Sequence, residues 1–286
     1  MADTGSIQLA VHPDGVAVLT LDQPDSRANL LSKSLWAELE AALLPLADRP
    51  DVKGLVVASA KPGVFIAGAD LRFLASVQTP NDPAVRDLIE YGLRVLDVLE
   101  SVPFPTCAAI DGAALGGGLE VALACDYRVA GTNPRVELGL PEVKLGLIPG
   151  WGGTQRLPRV LGLERAADLL ATGRTVKAEE AKSLGLVRDV VPSDQLLDAC
   201  VGTVGATAPA HIRAWKRNPV PEADRRSKPA VPSEPNAARE AMLCLVRGVE
   251  LPLADALALE TEAFLRLAGS DESRQLIGEF FASKKK

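Results

Sequence analysis

Histidine and cysteine are scarce in this chain of 286 residues, which limits the kinds of catalytic and metal site it can form. Its two histidines are His12, which precedes a Pro-Asp-Gly turn signal, and His211, which lies in a basic stretch. A histidine-based catalytic triad is therefore disfavoured. The four cysteines include no C-x-x-C pair and no Cys/His cluster, so we expect no metal site.

Long apolar runs and an excess of positive charge are also missing. No run approaches the roughly 20 apolar residues of a membrane-spanning helix, and residues 1–7 do not resemble a secretory signal. We therefore expect a cytoplasmic protein without a membrane partner. A net charge of −6 argues against nucleic acid as the main partner. A non-catalytic RNA-binding or scaffold protein stays an alternative because basic residues cluster at Arg213, Lys216, Arg217, Arg225, Arg226 and Lys228.

Apolar residues make up 47% of the chain, and their spacing predicts an α/β fold. Residues 7–22 are typical of a β-hairpin, and residues 52–59 and 106–110 of buried strands. Apolar residues at helical spacing predict a helix over residues 33–46, with Ser32 as its N-cap, and another over 81–101. The recurring order of strand, strand and helix indicates a core built by repetition.

The composition changes near Pro192. Residues 193–217 and 236–270 are rich in Ala and Leu and predict helices, and the window 218–235 is rich in proline. We therefore predict two parts: an α/β core over residues 1–192, and a helical C-terminal region over 193–286 that carries a Pro-rich insertion at 218–235. The helical region is a candidate oligomerisation element.

A glycine run, Gly116 to Gly118, leads into a predicted helix over residues 119–125. A helix that opens on glycines presents unpaired N–H groups and its positive dipole end, which suits an anion or a developing oxyanion. Glu120 lies in the first turn of this helix, and Glu142 follows in a segment punctuated by Gly and Pro. Taken singly, the glycines could merely allow close packing of strand on helix. Glu120 could be an ordinary first-turn glutamate favoured by the helix dipole, and Glu142 a surface residue.

Three blocks together carry a resemblance to the crotonase (enoyl-CoA hydratase/isomerase) superfamily. They are Phe65-Ile-Ala-Gly-Ala-Asp70, the segment 111–120 with its glycine run, and the segment 138–156 that ends in Pro-Gly-Trp-Gly-Gly-Thr-Gln-Arg. The nearest likeness is to the hydratase half of the bifunctional fatty-acid oxidation α-subunit. No G-x-G-x-x-G motif of a dehydrogenase follows, so both a free-standing module and a fragment stay open. The resemblance implies a spiral of repeated ββα units with a C-terminal helical oligomerisation region.

The resemblance also implies an activity: hydration of trans-2-enoyl-CoA to 3-hydroxyacyl-CoA, in fatty-acid β-oxidation. Glu120 corresponds to the residue that holds and activates water, and Glu142 to the one that delivers a proton. The backbone N–H groups of Ala69 and Gly117 correspond to an oxyanion hole. Burial should raise the pKa of both glutamates. A Δ3,Δ2-enoyl-CoA isomerase, which needs only the second glutamate, or another CoA-thioester lyase is the alternative.

Substrate contacts and partners are implied in the same way. Coenzyme A enters as part of the substrate, and no separate cofactor is expected. The implied assembly is a homotrimer or a dimer of trimers, with a dehydrogenase or thiolase as a further partner. The residues implied to bind CoA or the acyl chain are Arg27, Ala28, Leu30, Ile66, Ala67, Gly68, Asp70, Leu71, Gly116, Pro141, Gly150, Trp151, Phe264 and Lys284.

Overall fold

The computed structural model describes residues 5–205, 216–225 and 228–284. Two sheets run through it, and each is built mainly of parallel strands. The larger sheet has the order β1-β2-β3-β5-β7-β10, with β1 antiparallel to β2 and the other pairs parallel. The smaller sheet has the order β4-β6-β8-β9. The strands are β1 Ile7–Val11, β2 Val16–Leu21, β3 Gly54–Ser59, β4 Gly63–Ile66, β5 Thr106–Ile110, β6 Gly112–Leu115, β7 Tyr127–Gly131, β8 Glu137–Gly139, β9 Thr175–Val176 and β10 Asp189–Val191.

Helices alternate with pairs of strands. In chain order they are α1 Lys33–Ala47, α2 Leu71–Ser76, α3 Pro83–Ser101, α4 Gly117–Ala124, α5 Gly153–Leu161, α6 Leu163–Thr172, α7 Ala178–Leu184, α8 Leu196–Gly205, α9 Asn236–Gly248, α10 Leu253–Leu267 and α11 Asp271–Ser283. Short 3-10 turns cover Pro141–Leu145, Ser193–Gln195 and Glu222–Arg225. Successive strand pairs (β3 and β4, β5 and β6, β7 and β8) each give one strand to each sheet, which confirms the predicted ββα repetition.

Most predicted elements lie where the hydrophobic spacing places them. The hairpin is β1–β2, and Ser32 caps α1 through a hydrogen bond that its Oγ accepts from the N–H of Leu35. Strands β4 and β6 were not predicted from the sequence, because both are short and begin with glycine. The helical region predicted over 236–270 contains two helices, α9 and α10, and Pro252 precedes the start of α10. Gly269, with a φ of 81°, ends this region and separates α10 from α11, which begins at Asp271.

Packing groups the described residues into two compact units. The first takes its residues from 1–69, 94–138 and 176–213, and the second from 70–93, 139–175 and 214–286. In the first unit, α8 packs on the larger sheet, where Leu196, Cys200 and Val204 join a buried cluster with Val56 and Val129. The grouping therefore differs from the division at residue 192, which stays a prediction as a domain boundary. The second unit is mainly helical, and its α9, α10, α5 and α6 pack on one another.

Among the residues that the structure describes, no helix combines the length and the apolar character that crossing a membrane requires. His211, Arg213 and Arg226 lie outside the described residues.

Candidate active site

The two glycine-rich loops follow adjacent parallel strands. Strand β4 is parallel to β6, with Gly63 paired with Gly112 and Ile66 with Ala114. The carboxyl ends of the two strands therefore lie side by side at the same edge of the sheet. The loop after β4 begins at Ala67, and α4 begins almost directly after β6, at Gly117. One strand pairing therefore brings together two loops that lie far apart in sequence.

Glycine is needed where the two loops approach each other. A Cβ on Gly118 would lie 2.1 Å from the carbonyl oxygen of Ile66, closer than any real side chain could come. Gly116 has a φ of 53°, in the left-handed region that side chains disfavour. The interpretation that the glycine run permits close packing is therefore correct for Gly118. The same packing holds the N-terminus of α4 beside the end of β4.

At this edge the backbone N–H groups of Gly117 and Ala69 donate no hydrogen bond within the described residues. Gly117 is the first residue of α4, so its N–H has no acceptor within the helix. In the other loop, the N–H of Ala67 donates to Asn29 O at 3.0 Å, and Gly68 O accepts from the N–H of Leu31 at 2.9 Å. No hydrogen bond involves the N–H of Ala69 within the residues described. These are the two groups that the resemblance assigns to an oxyanion hole, and both belong to the first compact unit.

Glu120 lies one turn into α4 and is 1% exposed. Its N–H donates to Gly116 O at 3.1 Å, which continues the helix from the glycine run. Every residue of α4 is buried, so the helix carries this carboxylate into an apolar interior. Burial of a carboxylate is costly and therefore uncommon. Burial alone does not decide between a first-turn glutamate favoured by the helix dipole and a catalytic one, so the role of Glu120 stays a prediction.

Glu142 belongs to the second compact unit, in the 3-10 turn Pro141–Leu145. The residue as a whole is half-buried, but its Oε2 atom is buried and has no hydrogen-bond partner within the described residues. Burial of Oε2 affects the pKa more than burial of the whole residue does, because the negative charge of a carboxylate lies on its oxygens. Burial raises the pKa of Glu142 to about 8, helped by the negative charge of Glu260 and opposed by a backbone hydrogen bond. The alternative of a surface glutamate therefore does not hold for this oxygen, and the catalytic role of Glu142 stays a prediction.

The loop that contains Arg27, Ala28 and Leu30 lies against the loop after β4. A buried amide makes the connection: Asn29 Nδ2 donates to Phe65 O at 3.0 Å and to Ser59 Oγ at 2.9 Å. Arg27 is exposed, whereas Ala28 and Leu30 are half-buried. The structure thus brings the loop of these three residues beside Ile66, Ala67 and Gly68, and their contact with CoA stays a prediction. Sequence reasoning overlooked Asn29, because a single amide has no periodic signature.

Asp70 and Leu71 follow directly but group with the second unit. Asp70 caps α2 by accepting from the N–H of Arg72 at 3.0 Å, and it also contacts Arg72 Nε at 3.1 Å. Leu71, the first residue of α2, is half-buried. A capping role accounts for Asp70 without a ligand, so its contact with CoA stays a prediction.

The remaining implied substrate residues all lie in the second unit. Pro141 is half-buried in the 3-10 turn, and Trp151 and Phe264 are 3% and 4% exposed. Gly150 packs closely on Phe264, since a Cβ there would lie 3.0 Å from Phe264 Cδ2. Lys284 follows α11, with its Nζ 4.5 Å from the ring centre of Phe280. Phe264 is thus a packing residue within this chain.

Sequence reasoning missed one buried acid, Glu260 of α10. It is 0% exposed and accepts hydrogen bonds from the N–H of Gly152 at 2.6 Å, from the N–H of Thr154 at 2.8 Å and from Thr154 Oγ1. A signal was present, because Glu260 falls on the apolar stripe of α10 with Ala256, Ala263 and Phe264. An acid on such a stripe is a candidate for a buried functional or structural role.

With the fold and the candidate site described, comparison with known families identifies the class of protein. A family model described as enoyl-CoA hydratase/isomerase matches residues 12–243, most of the chain. The chain therefore belongs to the enoyl-CoA hydratase/isomerase family, which confirms the resemblance seen in the sequence.

Individual relatives point the same way. The chain is 36% identical over 97% of its length to a protein from Shewanella putrefaciens named fatty acid oxidation complex subunit alpha, and it spans 41% of that relative's length. A crystal structure of an enoyl-CoA hydratase from Bacillus anthracis is 31% identical, with a TM-score of 0.65 and coverage of 98% of this chain and 97% of the other. Human mitochondrial Δ3-Δ2-enoyl-CoA isomerase shares the fold, with a TM-score of 0.72 at 24% identity over 98% of both chains.

Proposed function

We propose that this protein hydrates trans-2-enoyl-CoA thioesters to 3-hydroxyacyl-CoA, as a step of fatty-acid β-oxidation. The observation that carries the proposal is the edge where β4 and β6 end. There two loop N–H groups, those of Ala69 and Gly117, share a compact unit with the buried Glu120. Donors fixed in place by packing can stabilise developing negative charge without reorganising, and removing one typically costs about 3 kcal/mol of barrier.

The proposed reaction uses these groups as follows. Water attacks C3 of the enoyl thioester, the C2–C3 π electrons move toward the thioester carbonyl, and the N–H groups of Ala69 and Gly117 stabilise the enolate oxygen. Glu120 orients the water and takes its proton, and Glu142 delivers a proton to C2. The product gains a hydroxyl at C3 and a hydrogen at C2, so the atoms of one water are accounted for.

The raised pKa of Glu142 supports its role as the acid. An ordinary glutamate is almost fully ionised at neutral pH, whereas a carboxyl with a pKa of about 8 holds its proton there. The pKa of a catalytic acid is most useful when it lies near the working pH.

A second candidate function is Δ3,Δ2-enoyl-CoA isomerisation. It is favoured by the same acid, because moving a proton between C2 and C4 needs one carboxyl that both loses and regains a proton near neutrality. We propose hydration as the main activity because Glu120 is also present and buried. Conversion of a 3-enoyl-CoA by Glu120→Gln, with hydration lost, would show that the isomerase reaction does not need Glu120.

The experiment is hydration of crotonyl-CoA, followed as loss of absorbance of the conjugated thioester, with decenoyl-CoA in parallel to measure the preferred chain length. We expect Glu120→Gln and Glu142→Gln each to lower the rate by about 100-fold or more. The matched control is Glu164→Gln, since Glu164 also lies in the first turn of a helix, α6, but is exposed. Near-normal rates in both active-site variants would refute the proposal.

Partners and assembly remain part of the proposal. The name of the Shewanella putrefaciens relative describes a complex, and the chain corresponds to less than half of that relative. We propose a homotrimer or dimer of trimers in the cytoplasm that works with a dehydrogenase or thiolase partner. Sedimentation of the purified chain, alone and with candidate partners, tests this directly.

A further inference from the structure

Helix α5 begins without a capping side chain of its own. Its N-cap position is Gly152, and the first N–H groups of a helix need acceptors from elsewhere. Glu260 supplies them from α10, which lies far along the chain. One carboxylate oxygen accepts from Gly152, and the other accepts both from the N–H and from the hydroxyl of Thr154. A carboxylate at this position also interacts favourably with the helix dipole.

The hydrogen bonds continue beyond this carboxylate. Gln155 Nε2 donates to Thr154 Oγ1 at 2.8 Å and to the carbonyl oxygen of Cys244 on α9 at 3.0 Å. Thr154 therefore accepts from Gln155 while it donates to Glu260. Within the described residues Gln155 Oε1 has no hydrogen-bond partner, so the network is satisfied at Glu260 and Thr154 but not at this oxygen.

The segment before α5 packs on the same face of α10. Leu257, Glu260 and Phe264 are spaced at i, i+3 and i+7, so they share one face of the helix. A Cβ on Gly152 would lie 2.8 Å from Leu257 Cδ2, and Gly150 packs on Phe264. Between these contacts lies Trp151, whose carbonyl oxygen accepts from Arg156 Nη1 at 2.7 Å. Glu260 thus fixes the backbone on which Gly150 and Trp151 lie.

The carboxylate of Glu260 is also a buried charge. Burial raises its pKa to about 7, whereas the donors at Gly152 and Thr154 and the charge of Arg156 hold it down. The other groups that it affects are Glu142 in the 3-10 turn and Cys244 on α9, and its negative charge raises the pKa of both. Glu142 has no donor on Oε2 within the described residues, so of the two acids it is the one that more readily keeps a proton.

We propose that Glu260 is a positioning residue of this enzyme, which holds the 150–154 segment in place through its hydrogen bonds and acts on Glu142 through its charge. The inference rests on the proposed function for the catalytic role of Glu142, but the effect of Glu260 on the pKa of Glu142 can be measured without turnover. Glu260 acts through the backbone of its neighbours and through its charge, and no contact with substrate is assigned to it.

The test compares Glu260→Gln with the parent by NMR titration of the Glu142 carboxyl in protein labelled with ¹³C at the glutamate side chains. We expect the pKa of Glu142 to fall by on the order of one pH unit, because a nearby negative charge is removed. The basic limb of the pH–rate profile for crotonyl-CoA should move to lower pH by the same amount. Glu262→Gln is the matched control, because Glu262 lies two residues along α10 but is exposed and paired with Arg86.

A Glu142 titration that is identical in Glu260→Gln and in the parent would overturn the electrostatic part of the inference. A titration that shifts in a protein unable to hydrate crotonyl-CoA would instead refute the proposed function and leave the coupling standing. The two failures are therefore distinguishable.

Thr154 provides a second test if Glu260→Gln does not fold. Thr154→Val removes the hydroxyl donor but keeps the N–H and the carboxylate, whereas Thr154→Ser keeps the hydroxyl. We expect Thr154→Val to lower kcat/KM and to shift the Glu142 titration in the same direction as Glu260→Gln, though less. Thr154→Ser should behave as the parent does. Equal behaviour of the two Thr154 variants would contradict the inference.

Discussion

The two compact units prepare their predicted site groups in different ways. In the first unit, the loops after β4 and β6 offer backbone N–H groups, and their geometry depends on the space that glycine leaves at Gly118. In the second unit, burial raises the pKa values of the two acids Glu142 and Glu260, and donors and neighbouring charges modify them. The first arrangement is steric and the second is electrostatic. They should therefore fail differently when they are perturbed.

The physical reason lies in what each group must do. Peptide dipoles carry no net charge, so burying them costs less than burying a charge, but they stabilise an oxyanion only at short and fixed distances. A carboxyl that moves a proton needs less exact placement in its resting state, but its ionisation must be set by burial and by neighbouring charge. A one-atom change should thus damage the first region by displacement and the second by a change of charge.

The largest effect is expected from Gly118→Ala. The new Cβ would meet the backbone oxygen of Ile66 at 2.1 Å, and neither α4 nor β4 can move without disturbing the strand pairing beneath. We expect a loss of stability greater than about 4 kcal/mol, or failure to fold. Urea denaturation of the purified variant measures it. A variant as stable as the parent would show that the close approach of the loops is not needed.

An intermediate effect is expected from Glu142→Gln, and its signature is pH dependence. Since the pKa of Glu142 is raised from 4.5 to about 8 on folding, the folded state binds more protons than the unfolded state between these values. The parent should therefore lose stability as pH rises through that window. Glu142→Gln removes this loss. As pH rises, the free energy of unfolding of the variant minus that of the parent should therefore increase by on the order of 1 kcal/mol for each pH unit. Denaturation curves at about pH 5 and about pH 9 measure the difference.

For Glu142→Gln, parallel stability curves for variant and parent across this window would contradict the raised pKa. Glu164→Gln again serves as the control, and its difference from the parent should not grow with pH.

The smallest effect is expected from Gly278→Ala. Gly278 lies in the interior of α11, and a Cβ there meets open space, unlike the one at Gly118. Replacing glycine by alanine inside an exposed helix should stabilise the protein by about 0.5–1 kcal/mol. Thermal denaturation measures the gain. If Gly278→Ala were destabilised, alanine would be unfavourable even where its Cβ has space, and the effect of Gly118→Ala could not be assigned to the contact with Ile66.

The sequence predicted elements well where apolar spacing is regular. Helices α1 and α3 and strands β2, β3 and β5 lie close to their expected places, because each buries a continuous apolar face. Strands β4 and β6 were missed because they are four residues long and begin with glycine. Their pairing with each other depends on contacts distant in sequence, which no local pattern contains.

The candidate site divides in the same way. Glu120, Glu142, Ala69 and Gly117 were selected through motif resemblance, and their roles stay predictions. Asn29 and Glu260 were missed, since what distinguishes each is a set of hydrogen bonds to distant backbone. The helices after residue 192 were predicted, but amphipathic spacing does not indicate which sheet or helix each of them packs against. The packing of α8 on the larger sheet could therefore not be foreseen.

The most direct test of the account is a comparison of two reactions in one variant. Hydration of crotonyl-CoA and isomerisation of a 3-enoyl-CoA are measured for the parent and for Glu120→Gln. If Glu120 activates water while Glu142 transfers the proton, hydration should fall by about 100-fold or more, and any isomerisation should be largely retained. Equal loss of both reactions, or retention of hydration, would contradict the division of roles between the two glutamates.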